Sequence, residues 1–306
     1  MNKTEKLTVF LAILAISCLL APVIFAMSST NYIINWDSIN TGGTDYSSST
    51  NYYMLDTIGE LATGRSTSTN FTMAAGYRQG ITDPQILQFS ISSENESTKV
   101  SYTAFNNGGL QVTVSNAAGF SVGQYIGVVE NEGASQYLAV GKITNIGGLV
   151  ITVDQWDGDN GVMSAGPVGG DDWVYRMDSH QINLGVLTPS AVLTGIARTH
   201  IKTNAENGFT VSVSEDGNLR IGTWDIDDVT DGTVSAGSEE YGIETVGVHS
   251  SGTNDFSIIP TGKSIQVHND PVARDRIGII FKAAIGGSIT GGQYKHTVSF
   301  YATPNF

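Results

Sequence analysis

Residues 182–213, INLGVLTPSAVLTGIARTHIKTNAENGFTVSV, decide the fold. The end of the stretch, Phe209 to Val213, alternates apolar and hydroxyl side chains at the strand period of two. Asn207-Gly208 supplies the positive-φ residues of a tight turn. The stretch therefore predicts a strand, a turn marked by Pro189, and a long hairpin closing at Asn207-Gly208. Asp216-Gly217 turns the chain again.

The same grammar continues on both sides. Downstream, Arg276 to Ile285 is a near-continuous apolar run suited to a central strand, and Tyr294 to Ala302 alternates as a closing strand. Tyr241 to Val248 and Phe256 to Pro260 read as shorter strands. Upstream, residues 99–177 offer six candidate strands, 99–104, 109–114, 125–129, 137–140, 142–146 and 149–153, then a Gly- and Asp-rich loop and a return to strand at Asp171 to Tyr175. Before them, Ile86 to Ile91 places Leu87, Phe89 and Ile91 on one face, and the polar stretch Ser92 to Thr98 is expected to end that strand. Residues 81–85 read as a linker.

Residues 27–80 carry an internal repeat. Ser29-Thr-Asn-Tyr32, Ser49-Thr-Asn-Tyr52 and Ser68-Thr-Asn-Phe71 each precede a short strand-like stretch. The aromatics Tyr32, Trp36, Tyr52 and Phe71 are expected to form one shared apolar face.

Three resemblances follow from these words. Leu184 to Thr194 (L-G-x-L-T-P-x-x-x-x-T) and Thr203 to Val213 (T-N-A-x-x-G-F-T-V-S-V) resemble a β-sandwich of surface proteins from candidate-phylum bacteria. In that family a strand like Leu87–Ile91 stands a few residues before the L-G-x-L-T-P words; here about 90 residues intervene. Val122 to Val129 with Lys142 to Val153 is similar to SH3-like modules, with Gln124 where an acid is usual. Ser49 to Leu55, Thr57 to Gly64 and Gly76-Tyr77 resemble an N-terminal segment shared by many bacterial extracellular proteins. Together they imply an all-β chain: an N-terminal β-repeat segment (27–80), an Ig-like β-sandwich from 85–96 and 178–306, and a small SH3-like β-barrel (97–177) inserted into the sandwich's first loop. Insertion at an exposed polar loop costs little closure entropy.

The first 26 residues read as an export leader: Lys3 and Lys6, then an apolar run from Leu7 to Ala26. Cleavage after Ala26 and retention as a membrane anchor both fit its 20-residue length. Cys18 is the only cysteine, so the exported part has no disulfide or thiol chemistry. Without the leader's Lys3, Lys6 and Glu5, 13 of the 15 basic and 28 of the 29 acidic residues remain, a charge of −15. That sign repels phosphate backbones and excludes nucleic acid as the expected partner.

There is no G-x-S-x-G, H-E-x-x-H or Walker loop, and the five histidines are isolated in sequence. The candidate metal site is the acidic loop holding Asp225, Asp227, Asp228 and Asp231, because Ca²⁺ takes six to eight oxygens and an Asp-rich loop supplies several at once. Its spacing is not that of an EF-hand, and the competing role is a solvated turn. Trp156, Trp173 and Trp224 stand near acidic loops and are the candidate ligand-binding aromatics, with core plugging as the alternative. No other cofactor is expected. The expected function is that of an exported, non-catalytic cell-surface or envelope protein, structural or adhesive. Its expected partners are other surface proteins or glycans, and its membrane contact would come only through an uncleaved leader. A secreted carbohydrate-active protein is the alternative.

Overall fold

The computed structural model describes residues 85–252 and 254–306, together with the backbone of four strands nearer the N-terminus. The described residues are all-β, arranged in antiparallel sheets. The chain forms two compact units, Met1–Pro84 and Gln85–Phe306. In the first, β1 (Gly42–Ser48) pairs with β2 (Tyr53–Ile58), and β3 (Gly64–Thr67) pairs with β4 (Thr72–Ala75). The second and third Asn-aromatic words end just before β2 and β4. Those words, the first repeat with Tyr32 and Trp36, and the leader lie outside the described residues.

The second unit begins with β5 (Leu87–Asn106), 20 residues long. The expected break at Ser92 is absent. Its polar residues have sheet partners instead: Ser92 and Ser93 pair with Arg198 and Ala197, and Glu94 and Asn95 with Met177 and Arg176. Between Asn95 and Val100 the register jumps, so the strand bulges at residues 96–99 and bends there. Local polarity marked a bulge rather than an end.

Next come β6 (Gln111–Val114), β7 (Tyr125–Glu130), β8 (Tyr137–Gly147), β9 (Val150–Val153), β10 (Asp157–Gly158) and β11 (Trp173–Ser179). β8 joins the two strands expected at 137–140 and 142–146. Pairing runs β5-β6-β9-β8-β7-β11 and returns to β5, a closed ring of six strands. The alternation in β6 and β9 aims Val112, Val114, Ile151 and Val153 inward, against Tyr102, Ile126, Val128 and Val174. The two-residue turn from β8 to β9 uses Gly148 at φ 65°.

The remaining strands are β12 (Leu193–Thr203), β13 (Phe209–Glu215), β14 (Leu219–Ile221), β15 (Trp224–Ile226), β16 (Glu240–Val246), β17 (Lys263–His268), β18 (Val272–Asp275), β19 (Gly278–Ala284) and β20 (Val298–Pro304). One sheet runs β5-β12-β19-β16, with β18 also on β12; the facing sheet runs β17-β13-β20. Between them Ile201, Phe209, Val211, Val213, Ile243, Ile265, Ile279 and Phe281 make the core. Truncating any one of these Ile side chains to Ala would cost about 2–5 kcal/mol.

Two expectations are corrected here. The Asn207-Gly208 stretch is not a hairpin: β12 pairs with β5, β18 and β19, while β13 pairs with β17 and β20. It is an arch that carries the chain from one sheet to the other. Gly208 has φ 70°, and a Cβ there would collide with the carbonyl oxygen of His268. Alternation and a turn-forming dipeptide are common to both connections; what separates them is which strand each arm pairs with. Phe256 to Pro260 is likewise no strand and makes a single bridge, Ile243↔Phe256.

β19 is buried along its whole length, which accounts for its near-continuous apolar sequence; its one charge, Lys282, is paired with Glu244 and Asp255, each at 2.8 Å. Ile279, Phe281 and Ala283 face the sandwich core, whereas Ile280 joins a second cluster with Val129, Leu138, Val140, Tyr175, Met177, Ile196 and Val246. That cluster packs strands of the ring onto strands of the sandwich. The five ring strands and β10 thus lie in sequence between β5 and β12, which pair with each other, and the junction is apolar and packed.

Candidate functional site

A cleft of about 1260 Å³ opens on the side of the sandwich where β20 is an edge strand. Residues 180–187 form one wall. They are not the strand predicted for the start of the L-G-x-L-T-P words; they run as an irregular strap whose Ile182, Leu184 and Leu187 rest on the sandwich core. Ser93 Oγ donates to Gln181 O at 2.9 Å, and Gly185, at φ 75°, donates to Asn183 Oδ1 at 3.0 Å. Residues 289–298 form the opposite wall, and Leu219, Ile226, Tyr241 and Phe281 the floor. Among the described residues no Asp or Glu lines the cleft.

One polar chain crosses the floor. His296 Nε2 lies 2.9 Å from Tyr241 Oη, and its Nδ1 lies 3.2 Å from Gly217 O. The network assigns the proton to Nδ1, donating to the carbonyl, with Nε2 accepting from the phenol. Glu215 Oε2 is also 3.2 Å from Nδ1, off the donor direction, and neither carboxyl oxygen receives a hydrogen bond. Burial holds His296 below its ordinary value and Tyr241 well above it. Burial, with Asp228 and Asp216 nearby, pushes Glu215 up to about 7. The histidine is therefore neutral and the phenol is a hydrogen-bond donor, not a nucleophile. The two serines of the cleft donate to carbonyls, Ser92 to Met177 O and Ser93 to Gln181 O. The trio joins β13, β16 and the approach to β20, and its chemistry is that of a buried polar joint beneath an apolar cleft.

The residues predicted to bind ligand are dispersed. Trp156 is 3% exposed and packs on Phe105, ring centroids 5.1 Å apart, inside the six-stranded ring. Trp173 is half-buried beneath Lys99, whose Nζ sits 4.6 Å from the ring centroid. Only Trp224, at 60% exposure on β15, presents its ring to solvent. Of the four acids, Asp225 accepts from Asn218 Nδ2 at 2.9 Å and Asp231 Oδ1 accepts from Thr233 N at 3.0 Å. Asp227 is exposed. Asp228 is half-buried; burial, with Asp227 and Asp225 beside it, raises its carboxyl. Among the described residues no group of three or more His, Cys, Asp and Glu side chains converges to hold a metal ion.

The Tyr241–His296–Glu215 chain was not anticipated from sequence. One signal was present: Tyr294, His296, Val298 and Phe300 share a phase in the closing segment, which places an ionisable ring among inward-facing apolar residues. No protein-family model, curated protein or solved structure matches the chain.

Proposed function

We propose that the chain is an exported, non-catalytic cell-surface or envelope protein that works by binding, with the sandwich cleft as its binding site. The observation that carries this reading is the cleft's composition. Its described lining offers mostly apolar side chains, with two engaged serines, Gln181, Asn183, Gln293 and Lys295, but no carboxylate. Glycoside hydrolysis by the usual route needs two carboxylates flanking the scissile bond, and acyl transfer needs a nucleophile beside its base. An apolar cleft with a few oriented polar groups suits burial of an apolar group of a partner. The likenesses of the sandwich to Ig-like surface domains and of the ring to SH3-like modules belong to this proposal, as does export by the leader. Other surface proteins are the partners it implies. Exposed Trp224 beside Asp225 favours a second reading, carbohydrate binding at the β14–β15 hairpin.

An uncharged solvatochromic dye such as Nile red tests the cleft directly. The protein should bind it saturably with a blue-shifted emission, and Ile289→Asp should weaken binding at least about tenfold, a change of about 1.4 kcal/mol. Unsaturable binding, or equal affinity in a folded Ile289→Asp variant, contradicts the assignment.

A further inference from the structure

The structure brings together two histidines that sequence left isolated. His249 follows β16 and His268 ends β17. Backbone hydrogen bonds align the two segments: Val267 N donates to His249 O at 3.1 Å, and Ser251 N donates to Ile265 O at 2.9 Å. The imidazole centroids stand 4.1 Å apart with planes at 56°. Each ring is tied down at Nδ1. His249 Nδ1 lies 2.5 Å from Oδ2 of Asp275, a carboxylate 7% exposed. His268 Nδ1 lies 2.9 Å from Asp270 O and 3.2 Å from Asp270 N. With the nearer, carbonyl partner taking a proton from Nδ1, both rings carry the lone pair on Nε2. Neither Nε2 has a hydrogen-bond partner among the described residues.

We infer that His249 and His268 form a two-histidine site for a divalent transition-metal ion of the zinc type. Metal-bound histidines characteristically donate their other ring N–H to a carboxylate or backbone carbonyl, which fixes the tautomer and strengthens the ligand. Here one histidine has the carboxylate and the other the carbonyl. Tetrahedral Zn–N bonds of about 2.05 Å put two ligand nitrogens about 3.3 Å apart and their ring centroids about 5 Å apart, so binding requires the two rings, now at 4.1 Å, to separate by about 1 Å. Both rings are partly exposed, His249 at 31%, so an ion can enter from solvent. The chain's charge of −14 favours its approach. Among the described residues no third His, Cys, Asp or Glu completes the set, so water fills the remaining positions and affinity is moderate. Hard cations, which prefer oxygen, are poor occupants.

The test is thermal unfolding of the tag-free protein with and without 1 mM ZnCl₂, in a buffer that does not chelate. Zinc should raise the melting temperature by about 3 °C or more, whereas MgCl₂ should not. The double variant His249→Ala/His268→Ala should lose the zinc-dependent rise. Asp275→Asn should keep it with a midpoint about 10- to 100-fold higher in zinc. Paramagnetic broadening by substoichiometric Cu²⁺ gives a readout that needs no variant. The ring signals of His249 and His268 should vanish before those of His180, His200 and His296. No rise with zinc, an equal rise in the double variant, or earlier broadening at another histidine overturns the site.

Discussion

Glu94→Gln should stabilise the protein at pH 8.5 by about 2–4 kcal/mol and leave it nearly unchanged at pH 4.5. Glu94 lies on β5, where β5 passes from pairing with β12 to pairing with β11, and is 4% exposed. One oxygen accepts from Ile196 N at 3.0 Å; the other is buried without a partner, in a region where a Cβ on Gly195 would come within 2.8 Å of it. Burial pushes the carboxyl from its ordinary 4.5 up to about 8, against the Ile196 hydrogen bond; Glu96 and Glu132 push the same way as burial, and Lys99 opposes them. The folded state thus binds a proton that the unfolded chain has released. Stability from this group is present below about pH 4.5 and is lost as pH rises to about 8. Glu215, raised to about 7, slopes the same way over a narrower window. The amide of Gln keeps an acceptor for Ile196 N and cannot ionise. Denaturant unfolding of both proteins from pH 4 to 9 should give converging curves at the acid end. Parallel curves would mean that Glu94 is not the buried proton carrier.

Arg276→Met should destabilise the protein by about 3–5 kcal/mol. The Arg276 side chain is fully buried just before β19, and it binds two carboxylates, Asp154 just after β9 and Asp157 on β10. Its Nε lies 2.6 Å from Asp157 Oδ2; its Nη2 lies 2.8 Å from Asp154 Oδ1 and 3.1 Å from Gln155 O. Burial opposes the charge on Asp154, yet Arg276, Lys142 N and Arg274 together hold it below its ordinary value; at Asp157 burial wins and the carboxyl rises. Removing the guanidinium leaves both acids without their main partner. Neutralising the whole group is a different matter, because the desolvation of all three charges is then avoided. The triple variant Arg276→Met/Asp154→Asn/Asp157→Asn should therefore recover much of the loss. If Arg276→Met alone changes the unfolding free energy by less than about 1 kcal/mol, this cluster does not clamp the ring to the sandwich.

The parts of this fold that were legible in the sequence are those where local pattern and environment coincide. β13 alternates because one face meets the core, and β19 is apolar except for the ion-paired Lys282 because both faces are buried. The arch at Asn207-Gly208 has the sequence of a hairpin because identical local signals serve either connection; the deciding partners, β17 and β20, lie 50 to 95 residues downstream. β5 was cut at Ser92 because its polar run looked like a loop. That run is carried by partners on β11 and β12 and by a bulge, none of which is visible locally. The polar joint beneath the cleft combines Glu215, Tyr241 and His296, and the histidine pair combines residues 249 and 268. Both are products of sheet topology rather than of spacing. Trp156, Trp173 and Trp224 show the converse: nearness to acidic residues in sequence says nothing about exposure, and of these three only Trp224 is open to solvent.

Cell fractionation with an antibody against the chain, run beside a polysaccharide-hydrolysis assay on the medium, tests the binding account most directly. Wild-type protein should sit on the cell surface with no hydrolytic activity, and Ile289→Asp should be released in proportion to its weakened cleft. Free wild-type protein in the medium that cleaves a polysaccharide would contradict the account.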